Sequence, residues 1–277
     1  MVDAANEELF EALAAARTEP SDQDEPCQAA LRAVILAGGR GARLAPYTSV
    51  LPKPLMPVGD RSILEVVLEQ LAKAGVEDVT LSVGYLSHLI RAVLYDDSAH
   101  SLRIEYVQED EPLGTAGPLR LVECLDDTFL VMNGDVLTTL DYRDLVRSHR
   151  ESDSVLTIAT HVRKVKIDYG IVRTDENNRL IGFEEKPEIS TAVSMGVYVM
   201  EPEVLGFIPD GHMDFPELVE ALIEAGKVVM AYPYDGLWFD IGRHDDFQQA
   251  VTAWAESLNG NEPGRPSDVI SLVSDSD

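Results

Sequence analysis

The sequence predicts an α/β protein: a mainly parallel, mixed sheet flanked by helices, with a small β-rich subdomain in its second half. Three observations carry this. Short apolar runs alternate with segments of helical period over residues 32–150. Strand-like segments crowd together after Asp153, and helices return near the end. Strands alternating with helices of 10–12 residues give a parallel sheet covered on both faces.

The elements follow in order. Ala33-Val34-Ile35-Leu36 reads as a buried strand, and Ser62–Ala74 as a helix with Ile63, Val66, Val67 and Leu71 on one face. Val79–Val83 is a strand, Ser87–Leu94 a helix, and Arg103–Val107 a strand. Ala116–Cys124 is expected to be helical, Thr128–Met132 a strand, and Asp141–Arg150 a helix. Strands then follow at Val155–His161, Gly170–Thr174, Arg179–Glu184 and Met195–Met200, with Asn177-Asn178 as a turn. Two helices, Phe215–Ala225 and Asp245–Glu256, enclose strands near Val228–Tyr232 and Gly236–Ile241. Residues 1–30 read as an extension, either a short docking helix with a linker or a disordered tail. Residues 31–258 form the folded domain, and 259–277 a Gly/Pro/Ser/Asp-rich flexible tail.

Composition narrows the function. A formal charge of −27 over 277 residues argues against nucleic acid as a partner, which needs a basic footprint. No apolar run approaches the roughly 18–20 residues that span a bilayer, and no signal peptide is evident. A cytoplasmic protein is therefore expected. Cys27 and Cys124 are too few for a disulfide framework and lack metal-ligand spacing. The six histidines fall outside the motifs below, and most are expected at the surface. Lysines are scarce, so those beside glycine-rich or carboxylate-rich loops are the informative ones.

Three constellations carry chemistry. In LAGGRGARLAPYTSVLPKP, residues 36–54, a strand runs into Gly38-Gly39-x-Gly41, which can turn sharply and aim N–H groups at an anion. It is neither a Walker loop nor a dinucleotide fingerprint, since Leu44 occupies the third glycine position. Arg43 follows, and Lys53 is held between Pro52 and Pro54 on a stiffened loop. Taken alone, three glycines after a strand are an ordinary turn; Arg43 and Lys53 tip the reading to phosphate.

The second constellation is Leu130-Val131-Met132-Asn133-Gly134-Asp135, an apolar strand ending in a carboxylate. Without context it is a turn; facing a phosphate loop it is placed to hold Mg²⁺. Trp238-Phe239-Asp240-Ile241-Gly242 repeats the arrangement, and the two aspartates could share one ion. The third is Phe183-Glu184-Glu185-Lys186-Pro187, usually a surface salt-bridge cluster, here with a lysine braced by proline and Tyr169-Gly170-Ile171 just upstream.

Taken together, LAGGRGARL, PKPLMPVGDRSILE, EPLGTAGPL, FLVMNGD, YGIV, FEEKP and WFDIGRHDDF resemble, in that order, the sugar-phosphate nucleotidylyltransferase family over residues 32–257. The resemblance implies a Rossmann-like core with a sugar-binding subdomain. It also implies Mg²⁺-dependent conversion of an NTP and a sugar 1-phosphate to NDP-sugar and pyrophosphate. By resemblance the nucleotide site comprises Leu36, Ala37, Gly38, Gly39, Gly41, Arg43, Lys53, Glu109, Leu113, Gly114 and Thr115. The glycines line the triphosphate, Arg43 faces the departing pyrophosphate, and Lys53 draws the reacting phosphates together. Glu109 and Leu113–Ala116 border the base. The sugar-phosphate set is Asn133, Gly134, Tyr169, Gly170, Glu185, Lys186 and Ser194. Asp135 and Asp240 hold the metal, with Arg43, Lys53 and Asp135 as the catalytic group. EPLGTAGPL leans toward GTP, with a mannose, heptose or amino-sugar 1-phosphate as acceptor. Another NTP, a cyclitol phosphate and a non-catalytic regulatory subunit remain alternatives, and a homo-oligomer stays open. Ala42 replaces the family's threonine, and Ser194-Met195-Gly196 its Asn-Ala-Gly.

Overall fold

The computed structural model describes residues 31–94, 102–109, 111–242 and 244–258. The expected N-terminal extension and the tail from Asn259 lie outside the described residues. Seven strands, β1 (Leu31–Ala37), β4 (Val76–Val83), β5 (Arg103–Gln108), β6 (Phe129–Asn133), β8 (Leu156–Lys166), β11 (Glu188–Met200) and β12 (Val229–Tyr234), form one sheet in the order β12-β8-β11-β6-β1-β4-β5. Between β1 and β4, β2 (Pro57–Val58) and β3 (Arg61–Ser62) pair as a short antiparallel ladder. All neighbouring pairs are parallel except those of β11, which runs antiparallel to both β6 and β8. The helices are α1 (Ile63–Lys73), α2 (Ser87–Val93), α3 (Tyr142–Arg150), α4 (Phe215–Glu224) and α5 (His244–Leu258).

Both faces of the sheet are buried at its central strands, β1 and β6. Along β1, Ala33 and Ile35 enter one hydrophobic cluster while Val34 enters the other; along β6, Leu130 and Met132 alternate with Phe129 and Val131 in the same way. A period of two, buried on both sides, produces the continuous apolar runs seen in the sequence. One cluster receives Ile63, Val67 and Leu71 of α1 with Tyr142 and Leu145 of α3; the other receives Phe215, Leu218 and Leu222 of α4. Each such side chain contributes about 1.5–3 kcal/mol on burial. Helix α1 begins at a reciprocal cap, with the Glu65 N–H donating to Ser62 Oγ (3.2 Å) and the Ser62 N–H to Glu65 Oε2 (2.7 Å).

The chain steps from β1 to β4 and β5 on one side, then places β6 on the other side of β1. This reversal opens a crevice at the carboxyl ends of β1 and β6, where ligands of open α/β sheets bind. Beyond the sheet, β8 and β11 continue together as an exposed arm, joined by the hairpin β9 (Ile171–Thr174) and β10 (Leu180–Glu184). This arm is the small β-rich part. Asn178 turns it at φ 61°, with the N–H of Asn177 donating to Asp175 Oδ1 at 2.8 Å.

Some expectations need correction. Ala116–Cys124 is not a helix: only Gly117–Leu121 forms a short 3-10 turn, because Gly114 and Gly117 press on another segment and Pro118 supplies no N–H. The strands expected at Val155–His161 and Met195–Met200 run on into the arm. His149 is not a surface residue but only 1% exposed, held by Thr157 and Glu201.

Candidate functional site

The opening glycine loop, the Lys53 turn and the Asn133–Asp135 turn converge at the crevice. The Gly134 N–H donates to the carbonyl of Leu36 at 2.9 Å, tying the ends of β1 and β6 together. A Cβ at Gly134 would lie 3.2 Å from Ile35 Cγ2, from the Leu36 carbonyl oxygen and from Pro54 Cγ. Glycine is therefore what lets the Pro52-Lys53-Pro54 turn settle on β6. Lys53 starts a 3-10 turn, Lys53–Leu55, and is 8% exposed.

Its ammonium is ion-paired with Asp135 Oδ2 and stands 3.7 Å from Asp240 Oδ1. Asp240 reaches this point through β13 (Trp238–Asp240), which pairs with β7 (Val136–Thr138) so that Asp240 faces Val136. The Ile241 N–H donates to the Asp135 carbonyl at 3.2 Å, closing the same joint. Two carboxylates over a hundred positions apart are thus fixed side by side. Burial pushes the Asp135 carboxyl above its ordinary range; the Lys53 charge opposes that, and nearby Asp240 adds to it. Asp135 Oδ1 is buried without a hydrogen-bond partner. An anionic oxygen left over beside a second carboxylate fits a hard divalent cation, which takes oxygen ligands.

Arg43 completes the cationic side. It is exposed, and its guanidinium lies 3.7 Å from where a Gly242 Cβ would sit, beside the Asp240 turn. The glycine loop is braced from within by Thr48, 3% exposed, whose hydroxyl donates to the Gly41 carbonyl at 2.8 Å. Gly41 holds φ 59°, and a Cβ there would meet Thr48 Cγ2 at 2.9 Å. Sequence reasoning missed Thr48; its hydroxyl stands six positions beyond the hydroxyl that Ala42 lacks.

Glu109 closes the other flank. It accepts from Ser82 Oγ (2.9 Å) and the Leu113 N–H (3.3 Å), and its Oε1 lies 2.5 Å from where a Gly38 Cβ would be. Gly38, Glu109 and Leu113 are therefore one wall. Gly39 is open to solvent, whereas Ala37 is buried at 3% exposure and offers only its backbone.

The sugar-phosphate set divides. Gly196 holds φ 72°, and a Cβ there would meet Asn133 Nδ2 at 2.5 Å, so the β11 irregularity after Ser194 packs on Asn133. Trp238 Nε1 donates to the Met195 carbonyl at 3.0 Å, joining that irregularity to the Asp240 strand. Asn133, Gly134 and Ser194 thus belong to the crevice. Tyr169, Gly170, Glu185 and Lys186 instead lie exposed on the arm, where a Gly170 Cβ would sit 3.1 Å from Glu185 Oε2. Among the described residues, no hydrogen bond or ion pair joins them to Lys53, Asp135 or Asp240. Lys186 adopts φ 44°, not the extended backbone that the following proline favours.

The nucleotidyl transferase family matches residues 32–257. The chain is 34% identical over 80% of its length to a UTP–glucose-1-phosphate uridylyltransferase of Synechocystis sp., spanning 62% of that relative. It is 31% identical over 84% of its length to a mannose-1-phosphate guanyltransferase of Debaryomyces hansenii, spanning 67%. The chain therefore spans about two thirds of the length of these curated relatives. Among solved structures, HddC from Yersinia pseudotuberculosis superposes with a TM-score of 0.64 at 26% identity, covering 81% of this chain and 99% of HddC. A family match across the whole described core, on the fold and crevice above, makes this chain a member of the nucleotidyl transferase family.

Proposed function

We propose that this chain transfers NMP from an NTP, GTP by preference, to a sugar 1-phosphate of the mannose, heptose or amino-sugar type, releasing pyrophosphate. The observation that carries the reading is Lys53, held against Asp135 and Asp240 at the carboxyl edge between the glycine loop and β6. A phosphate oxygen of the acceptor attacks the α-phosphorus in line. The new P–O bond forms as the bond to the β-phosphate oxygen breaks, and pyrophosphate leaves with that electron pair. The acceptor is already an oxyanion, so no general base is needed. The barrier is the approach of two anions, lowered by positioning and charge neutralisation.

Each residue then has a task. Gly38, Gly39 and Gly41 admit the triphosphate to the loop backbone, and Arg43 meets the departing charge. Lys53 offsets the charge of both reacting phosphates. Asp135 and Asp240 would hold Mg²⁺, which when bound supplies charge neutralisation at phosphate oxygens. Ser194, Tyr169, Gly170, Glu185 and Lys186 would receive the acceptor. GTP is supported by the mannose-1-phosphate guanyltransferase relatives and by HddC, which has been solved with GMP-PN at 27% identity to this chain. The chemistry belongs where phosphate metabolites are found, and we place the protein in the cytoplasm.

The test is a grid of GTP, UTP, dTTP, CTP and ATP against sugar 1-phosphates, read as pyrophosphate release with Mg²⁺. The expected maximum is GTP with mannose 1-phosphate or a related acceptor. A maximum with UTP and glucose 1-phosphate would move the base and keep the chemistry. Nucleotide binding without turnover anywhere in the grid would favour a regulatory subunit.

A further inference from the structure

The base-side loop is not held by its own neighbours. Leu113–Gly117 is stitched to His212–Phe215, about a hundred residues later, at the start of α4. The Met213 N–H donates to the Leu113 carbonyl (2.9 Å), and the Met213 carbonyl accepts from the N–H groups of Ala116 (2.9 Å) and Gly117 (3.1 Å). Asp214 Oδ1 accepts from both the backbone N–H of Thr115 (2.9 Å) and its hydroxyl (3.1 Å). The same hydroxyl oxygen accepts from the Phe215 N–H at 2.8 Å. Gly114, at φ 80°, lies so close that a Cβ would be 2.5 Å from the Met213 carbonyl oxygen.

We propose that Asp214 is a positioning residue for nucleotide selection: its carboxylate latches Thr115, and so fixes the wall that Leu113 and Glu109 present to the base. The inference rests on reading Leu113–Thr115 as the border of the nucleotide site. Two features separate the latch from an ordinary helix cap. Asp214 caps its own helix in a reciprocal box with Glu217, whose carboxylate accepts from the Asp214 N–H at 2.7 Å, and beyond that duty its Oδ1 takes two donors from a distant loop. The wall is also continuous, since the Leu113 N–H donates to Glu109, whose Oε1 sits against Gly38. Losing the latch therefore moves the base wall while leaving the Lys53–Asp135–Asp240 group in place.

The test uses the full chain. GTP affinity is measured by titration with Mg²⁺, the KM for mannose 1-phosphate by pyrophosphate release, and the folded fraction by thermal melting. Asp214→Ala is expected to weaken GTP binding about tenfold, the effect of one lost charge-assisted hydrogen bond, and to narrow the preference for GTP over UTP. The acceptor KM is expected to change less than twofold. Thr115→Val should reproduce this, and the double variant should be no worse than the poorer single, as for a coupled pair. Asp214→Asn, which keeps an acceptor oxygen for the Thr115 N–H, should recover most of the affinity. Unchanged GTP affinity and base preference in Asp214→Ala and Thr115→Val, with losses tracking only the folded fraction, would overturn the latch. Leu113→Ala locates the failure. If it weakens GTP binding while the latch variants do not, the latch alone is wrong; if it too has no effect, the nucleotide border falls and takes the latch with it.

Discussion

Lys53 and Asp135 form an ion pair across the carboxyl edge of the sheet although they are 82 positions apart. The lysine comes from a proline-braced turn and the aspartate from the end of a core strand, so neither can follow the other if it is moved. Asp135→Asn keeps the shape of the side chain but removes its charge. Pyrophosphate release is expected to fall by about a hundredfold or more, the scale seen when one preorganised electrostatic group is lost. Circular dichroism should show an intact fold, and an unchanged rate would remove Asp135 from the centre.

Gly38 faces Glu109 with no room for a methyl group, 2.5 Å from Oε1. Gly38→Ala must displace the carboxylate and loosen its bonds to Ser82 and Leu113. The KM for the nucleoside triphosphate should rise roughly ten- to a hundredfold, the cost of small misplacements in a built site. Steady-state kinetics at saturating acceptor would show it, with thermal stability close to that of the parent.

Thr48 braces the loop from inside. Thr48→Val retains its shape and removes the hydroxyl that reaches Gly41. A loss of about 1 kcal/mol in urea unfolding is expected, together with a higher nucleotide KM. A variant with parental KM would show that the loop holds its form without Thr48.

His149 is a stability group with a definite sign. Its Nε2 faces Glu201 Oε1 at 3.1 Å, and a carboxylate only accepts, so Nε2 carries the proton and Nδ1 accepts from Thr157 at 2.7 Å. Burial holds its pKa below the ordinary value, with Glu201 opposing. The unfolded chain therefore binds the extra proton first as pH falls below about 6.5, and the fold loses stability over that range. His149→Gln should be less stable at pH 7.5 yet lose less melting temperature between pH 7.5 and 5.5. Parallel curves for the two proteins would contradict this.

Much of this was legible in the sequence because the residues concerned obey local rules. Val34 and Ile35 point to opposite faces of one buried strand, which yields an unbroken apolar run. Gly38 and Asp135 lie just past the ends of strands and Lys53 opens a turn, where backbone turns and proline leave a written trace. What escaped were partnerships formed only by tertiary approach. Asp214 looks like any helix cap until Thr115 arrives from a hundred residues away. The expected helix after Ala116 failed for the same reason, since backbone pairing with Met213 and close approach at Gly117 outweigh the apolar spacing. His149 carries no sign in the sequence that Glu201 and Thr157 will enclose it.

The most direct test of the central claim is pyrophosphate release from GTP by the full chain, with and without a sugar 1-phosphate and Mg²⁺, compared with Lys53→Met under the same conditions. Release that requires both additions and falls by about a hundredfold or more in Lys53→Met is the predicted result. Release independent of the acceptor, or undiminished in Lys53→Met, would contradict it.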